Sequence, residues 1–190
     1  PMYTTFLFDF YDVIRIDPYK KWLNDHSFTR DGEFYDIAAR YDRGMIDFEE
    51  LLQGLGELSG ETSEEVDRAF KAANNFDDEV IALIEKLAID FKIGMISNAG
   101  GPGLRRILNE KGIEELFREI VISGEVGHIK PEPEIFNIAL EKLESNPQET
   151  IFIDDNEHNC EAALDLGITS IQFVSYRQLI QSLGSLGVSV

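Results

Sequence analysis

Five short apolar runs limit what this chain can fold into. They are Thr4 to Phe8, Lys92 to Ile96, Ile120 to Ile122, Thr150 to Ile153 and Ser170 to Val174. None alternates strictly between apolar and polar residues, so each predicts a strand buried on both faces. Helical patterns lie around them. "DDEVIALIEKLAIDF" sets apolar residues at helical spacing behind an acidic start at Asp77 and Asp78. "EPEIFNIALEKLE" places Ile135, Ile138, Ala139 and Leu143 on one face, and "NCEAALDLGI" stops at Gly167. Strands alternating with helices predict an α/β fold, with a parallel sheet covered on both faces and right-handed crossovers.

Residues 18–75 break that rhythm. They hold no strand-like run, only amphipathic patterns: "PYKKWLNDH", "EFYDIAARYDRG", "DFEELLQGLGELSG" and "SEEVDRAFKAA". Ser63, with Glu65 and Val66 behind it, predicts the start of the last of these helices. The expected organisation is a core domain of residues 1–17 and 76–190, interrupted after its first strand by a helical block of residues 18–75.

Charge narrows the partners. Lys and Arg number 17 against 36 Asp and Glu, a formal net charge of -19. Such a surface repels phosphate backbones and anionic lipid, so neither nucleic acid nor a membrane surface is an expected partner. No apolar run approaches the length of a membrane span, and no signal peptide opens the chain. Pro1 ahead of Met2 reads as a cloning remnant. The single cysteine, Cys160, excludes an intrachain disulfide and suits a reducing cytoplasm. Its place in a helical pattern predicts a buried structural thiol.

The chemistry lies where the strands end. Ligands of open parallel sheets bind at the carboxyl ends of the strands. Asp9 follows the first predicted strand. Ser97 and Asn98 follow the second, ahead of the glycine-rich "AGGPG". Lys130 comes after the third, past "SGEVGHI". Asp154 and Asp155 follow the fourth. Singly, each has an ordinary explanation as a helix cap, a turn residue or a solvated lysine. Jointly, they would meet on one rim. Three carboxylates together call for a cation, and hard oxygen ligands suit Mg2+. A lysine, a hydroxyl and backbone N–H groups beside them suit a phosphate.

In that order the set resembles the haloacid dehalogenase-like hydrolase superfamily over nearly the whole chain. "LFDFYDV", "MISNAG", "GHIKPEPEIF" and "IFIDDNEHNCEAALDLGI" match its four motifs. The helical block matches its cap, down to the stretch "YDRGMIDFEEL". The resemblance implies a three-layer Rossmann-like core with a small all-helical cap. It also implies a hydrolase, with phosphatase chemistry on a small phosphorylated metabolite as the leading expectation. Asp9 would be the nucleophile. Ser97, Asn98 and Lys130 would bind the phosphoryl group. The metal would be held by Asp9, the Tyr11 carbonyl oxygen and the Asp154–Asp155 pair, one acid directly and one through water. Asn159 would orient the acids or simply lie on its helix surface.

Tyr11 departs from the phosphatase pattern, which has a second aspartate there as acid and base. A phenol with a pKa of about 10 is a poor base at neutral pH. Slow turnover is therefore expected of a phosphatase carrying it. Asp12, the next residue, would face another direction in an extended segment. Tyrosine at this position resembles the family's 2-haloacid dehalogenases, which use no metal and lack the acid pair. The alternatives are thus a dehalogenase-type hydrolase or a catalytically weak relative that binds a ligand. Elsewhere, Trp22, Phe34, Tyr35 and Tyr41 are expected to form the cap's small core. Arg40 or Arg43 could reach a substrate anion, although solvated helix arginines are commoner. His26, His128 and His158 do not share a metal-ligand spacing.

Overall fold

The computed structural model describes residues 2–189, so the reading of Pro1 lies outside the described residues. Five parallel strands form one sheet: β1 (Thr5–Phe8), β2 (Lys92–Ser97), β3 (Glu119–Ile122), β4 (Thr150–Asp154) and β5 (Thr169–Gln172), in the order β3-β2-β1-β4-β5. The central β1 is buried along its length; Phe6 pairs with Ile93 of β2 on one side and Ile151 of β4 on the other. The expected runs coincide with these strands to within one or two residues. The last is shorter than expected. It lies at the sheet edge, where Val174 is exposed and adds nothing to the core.

Helices cover both faces, as the apolar patterns require. One layer holds α5 (Asp78–Leu87), α6 (Gly101–Lys111) and α10 (Tyr176–Ser185), through Val80, Ile84, Leu104, Leu108, Leu179 and Leu183. The other holds α8 (Pro133–Lys142) and α9 (Glu157–Asp165), through Ile135, Phe136, Ala139 and Ala163. A short α7 (Ser123–Val126) follows β3. Ile135, Ala139 and Leu143 are buried as expected, with Ile138 only partly so. Gly167 has φ +83°, the left-handed stop its helix needs. Cys160 is buried, and burial pushes its thiol pKa up.

Between β1 and α5 lie α1 (Pro18–Asp25), α2 (Gly32–Asp42), α3 (Phe48–Ser59) and α4 (Ser63–Ala72), a helical cap region. Trp22, Leu55 and Val66 sit at the centre of its own apolar cluster. The α4 helix starts at Ser63 as expected, and the residue before it supplies the cap side chain. Thr62 accepts from Glu65 N while the Glu65 carboxylate takes Thr62 N. The chain enters and leaves this region side by side: Ile16 N donates to Asn75 O at 3.0 Å and Asp77 N to Ile14 O at 2.9 Å. The end of α2 is docked on the sheet side. Arg43 pairs with Glu132. Gly44 has φ +72°, and a Cβ there would lie 2.5 Å from the Gly124 carbonyl oxygen, so only glycine permits this approach.

Candidate active site

The carboxyl ends of β1, β2 and β4 bring the expected residues together. Asp9 follows β1, Asn98 follows β2, Asp154 ends β4, and Asp155 is next. Lys130 enters from the segment after α7 and bridges two of the acids. Its Nζ lies 2.7 Å from Asp9 Oδ1 and 2.6 Å from Asp154 Oδ2. All three residues are buried. Asn98 positions the lysine: its Oδ1 accepts from Lys130 N at 2.8 Å and its Nδ2 donates to Lys130 O at 3.0 Å. Asn159 lies against both Asp154 oxygens at 3.0 and 3.1 Å, and Asn156 N donates to Oδ1 at 2.8 Å. Asn159 therefore orients the acid rather than lying idle on its helix.

Burial sets the electrostatics. It pushes the Asp9 carboxyl well above the usual carboxylate range; Lys130 opposes this, while the charges of Asp154 and Asp155 reinforce it. Burial also works against the Lys130 charge, but Asp154 and Asp9 outweigh it and hold its pKa above the ordinary lysine value. Asp155 is pushed up by burial against the opposing Lys20. One oxygen each of Asp9, Asp154 and Asp155 can lie within 4.8 Å of the others, a set that could hold a metal ion. The charge count agrees. Lys130 and Lys20 touch the four acids Asp9, Asp154, Asp12 and Asp155, which leaves two negative charges for a divalent cation.

A cavity of about 560 Å³ opens above these groups. Asp9, Lys130 and Asp155 line it from the sheet side; Arg30, Tyr35 and Asp42 line it from the cap region. One cap residue departs from expectation. Tyr35 is half-exposed at this cavity rather than part of the cap core. Arg43 is spent on Glu132, and Arg40 lines a separate surface cavity. Arg30 is the arginine that reaches the site, and the sequence carried no local sign of it. Trp22, Phe34 and Tyr41 do belong to the cap cluster.

Ser97 ends β2 fully buried, and its hydroxyl has no hydrogen-bond partner among the described residues. The glycine-rich turn offers fewer free donors than expected, since Ala99 N already donates to Ser123 Oγ at 2.9 Å. Tyr11 lines the cavity, and burial raises its phenol pKa above the ordinary value, with Asp17 adding to the effect. Asp12 takes the left-handed conformation at φ +57°. Its carboxylate is occupied by Asp17 N at 2.9 Å and Lys20 Nζ at 2.7 Å. His158 lines the cavity, and His26 pairs with Glu61 at 3.2 Å. His128, Glu132 and Glu134 form a second group able to approach one ion, although Glu132 is already held by Arg43 and Ile129 N.

Comparison with known proteins agrees with this geometry. A D-ribitol-5-phosphate phosphatase of Bacteroides thetaiotaomicron is 26% identical over 145 residues, covering 72% of this chain and 70% of the relative. A bifunctional epoxide hydrolase 2 of Mus musculus is 39% identical over 59 residues, covering 31% of this chain and 11% of the relative. The match spans 38% and 54% of two Bacillus pyrophosphatases PpaX, so several curated relatives are much longer than the part shared. A solved HAD family enzyme of Bacteroides thetaiotaomicron, in complex with magnesium and inorganic phosphate, superposes with a TM-score of 0.72 at 25% identity. The superposition covers 93% of this chain and 98% of the other. No helix among the described residues is long and apolar enough to cross a membrane. Residues 48–173 match the family described as haloacid dehalogenase-like hydrolase, and this chain belongs to it.

Proposed function

We propose that this chain is a magnesium-dependent phosphatase of a small phosphorylated metabolite, acting through an aspartyl-phosphate on Asp9. The observation that carries the reading is the buried Lys130 ammonium held between Asp9 and Asp154 at the floor of a cavity. A cation fixed there suits the oxygens of a phosphoryl group. Asp9 attacks phosphorus. Lys130 takes one equatorial oxygen, and the unpartnered Ser97 hydroxyl offers a donor to another. Asn98 fixes the lysine through its backbone.

Asp9, the Tyr11 carbonyl oxygen, Asp154 and Asp155 would hold the magnesium. The hard oxygen set and the two uncompensated charges fit that ion. Asp154 already receives Lys130, Asn159 and Asn156 N, whereas among the described residues Asp155 has only Lys20 on its carboxylate, so Asp155 would hold the ion directly and Asp154 through water. When bound, magnesium would withdraw charge from the phosphoryl oxygens. The cavity's size and mixed charge, and the likeness to a D-ribitol-5-phosphate phosphatase, support a small polar substrate. The acid pair disfavours a dehalogenase, since a 2-halo carboxylate would add a further negative charge beside Asp9, Asp154 and Asp155, which among the described residues share only Lys130 and Lys20 with Asp12.

The test is a panel of phosphorylated sugars, polyols, nucleotides and small acids, with and without magnesium, beside 2-chloro acids with chelator. Magnesium-dependent phosphate release is expected, and Asp9→Asn should abolish it. Halide release in chelator would establish the dehalogenase instead. Silence throughout, with the protein folded, would point to the ligand-binding reading.

A further inference from the structure

The reaction proposed above needs a group that protonates the leaving oxygen and later takes a proton from water. The two residues beside the nucleophile do not supply it. Tyr11 holds its proton more tightly than a free phenol. Asp12 is turned onto Lys20 and Asp17 N. Another carboxylate lines the same cavity. Asp42, the last residue of α2, is buried and opens onto the space above Asp9 and Lys130. Its nearest cation, Arg30 Nη2, stands 3.6 Å away, beyond hydrogen-bond length. No hydrogen bond among the described residues reaches its side chain. The Arg43–Glu132 pair and the Gly44–Gly124 approach hold this end of α2 over the rim, so the position is built rather than incidental.

We infer that Asp42, from the cap region, is the acid and base of the proposed phosphatase reaction. The inference rests on that reading of the site. In the first half, an Asp9 oxygen bonds to phosphorus as the bond from phosphorus to the leaving oxygen breaks. The Asp42 carboxylic acid gives its proton to that oxygen, which departs as an alcohol. In the second half, the Asp42 carboxylate takes a proton from water as the water oxygen bonds to phosphorus. The Asp9–phosphorus bond breaks, phosphate leaves, and Asp42 is again protonated.

The surroundings suit both halves. Burial raises the Asp42 pKa to about 7; Arg30 and Lys130 oppose the rise, and Asp17 adds to it. Tyr41 on α2, Tyr19 on α1 and Tyr11 after β1 are the other titratable groups coupled to this carboxylate, and all three phenols are held protonated by burial. A group near 7 can serve as donor and acceptor at neutral pH.

The experiment compares wild type with Asp42→Asn on two esters: an alkyl phosphate hydrolysed in the panel, and an aryl phosphate with a good leaving group. Asp42→Asn should slow the alkyl ester by roughly 10²–10⁴-fold. It should spare the first-turnover burst from the aryl ester, whose leaving group needs no proton. Wild-type turnover should fall above neutral pH with the alkyl ester and below it with the aryl ester. Both limbs should vanish in Asp42→Asn, and Arg30→Met should move them upward. Tyr11→Asp should restore the alkyl rate in the Asp42→Asn background more than it raises the wild-type rate. If Asp42→Asn does not fold, the opposite limbs and their movement in Arg30→Met still decide the matter. An unchanged rate and pH profile in Asp42→Asn, or limbs unmoved in Arg30→Met, would overturn the inference alone. Absence of magnesium-dependent phosphate release from either ester would overturn the phosphatase reading and this inference with it.

Discussion

Two lysines bridge acids on this rim, one from each half of the molecule. Lys130, on the sheet side, lies 2.7 and 2.6 Å from Asp9 and Asp154. Lys20, on α1 of the cap region, lies 2.7 and 3.0 Å from Asp12 and Asp155. The distances are nearly the same, but the burial is opposite: the Lys130 side chain is 1% exposed and that of Lys20 50%. Coulomb's law at equal distance gives unequal energies because the surrounding dielectric differs. The buried bridge is committed, since Asp154 is fully buried and Asp9 nearly so, and both lose their counter-charge if the lysine leaves. The exposed bridge is exchangeable, since water or a metal can replace it. Contact geometry alone would have made them equivalent.

The most direct way to break that comparison is to remove each lysine. Lys130→Met strands Asp9 and Asp154 in the interior and should cost about 3–5 kcal/mol of stability, as removing one partner of a buried ion pair does. Lys20→Met should cost at most about 1 kcal/mol. Urea denaturation midpoints of the two variants measure the difference. Comparable losses would mean that burial does not separate the two bridges.

Asp42 sharpens the comparison as a buried carboxylate with no lysine on it. Its pKa rises from the ordinary 3.8 to about 7 in the folded protein. Between those values the folded chain keeps a proton that the unfolded chain releases. The resulting stability is fully present below pH 3.8 and is lost as pH rises through 7. Asp42→Asn removes this dependence. Relative to wild type it should gain stability with rising pH, up to about 4 kcal/mol at pH 8. Melting curves at acid and alkaline pH test the sign. A constant offset between the two proteins would show that Asp42 titrates normally.

These contrasts also mark what the sequence could reveal. Asp9, Asp154 and Asp155 were legible because each stands at or just beyond a strand, and a parallel sheet gathers its strand ends on one edge; Lys130, beyond α7, was legible from the "GHIKPEPEIF" motif. The helical block was legible from its amphipathic spacing and lack of strand runs. Arg30, Asp42 and Lys20 were not, because their position depends on how α1 and α2 lie over the rim. That docking is set by Arg43 with Glu132, 89 residues apart in the chain, and by the Gly44–Gly124 approach. No local pattern encodes such contacts. Tyr35 was misplaced for a related reason: its helix carries apolar residues on two faces, and only tertiary packing decides which one is covered.

A third effect follows from the acids that the lysines leave uncompensated. Magnesium at about 100 times its Kd should stabilise the protein by about 2.7 kcal/mol through mass action. Asp155→Asn, and Asp154→Asn with Asp155→Asn, should abolish the shift. Thermal melts with and without magnesium check this. A full shift in the double variant would place the ion elsewhere, with His128, Glu132 and Glu134 the next group to substitute.

The smallest effect concerns what Lys20 does when the ion arrives. Its ammonium contacts Asp155 Oδ2, an oxygen assigned above to magnesium, so the two cations compete for one carboxylate. Lys20 is half-exposed and can swing into water at little cost. Losing it should remove both the competition and a like-charge repulsion. Lys20→Met is therefore expected to tighten magnesium roughly 3–10-fold, the equivalent of about 0.7–1.4 kcal/mol. The gain should shrink as salt rises, because exposed charges are screened over about 8–10 Å at physiological ionic strength. Calorimetric titration of magnesium at low and physiological salt provides the measurement. The same substitution at Lys130 should not tighten the ion, because Lys130 contacts Asp9 and Asp154 rather than Asp155 and so does not compete for the oxygen assigned to the direct bond. Weaker binding in Lys20→Met would mean that the lysine holds Asp155 in place for the metal rather than standing in for it.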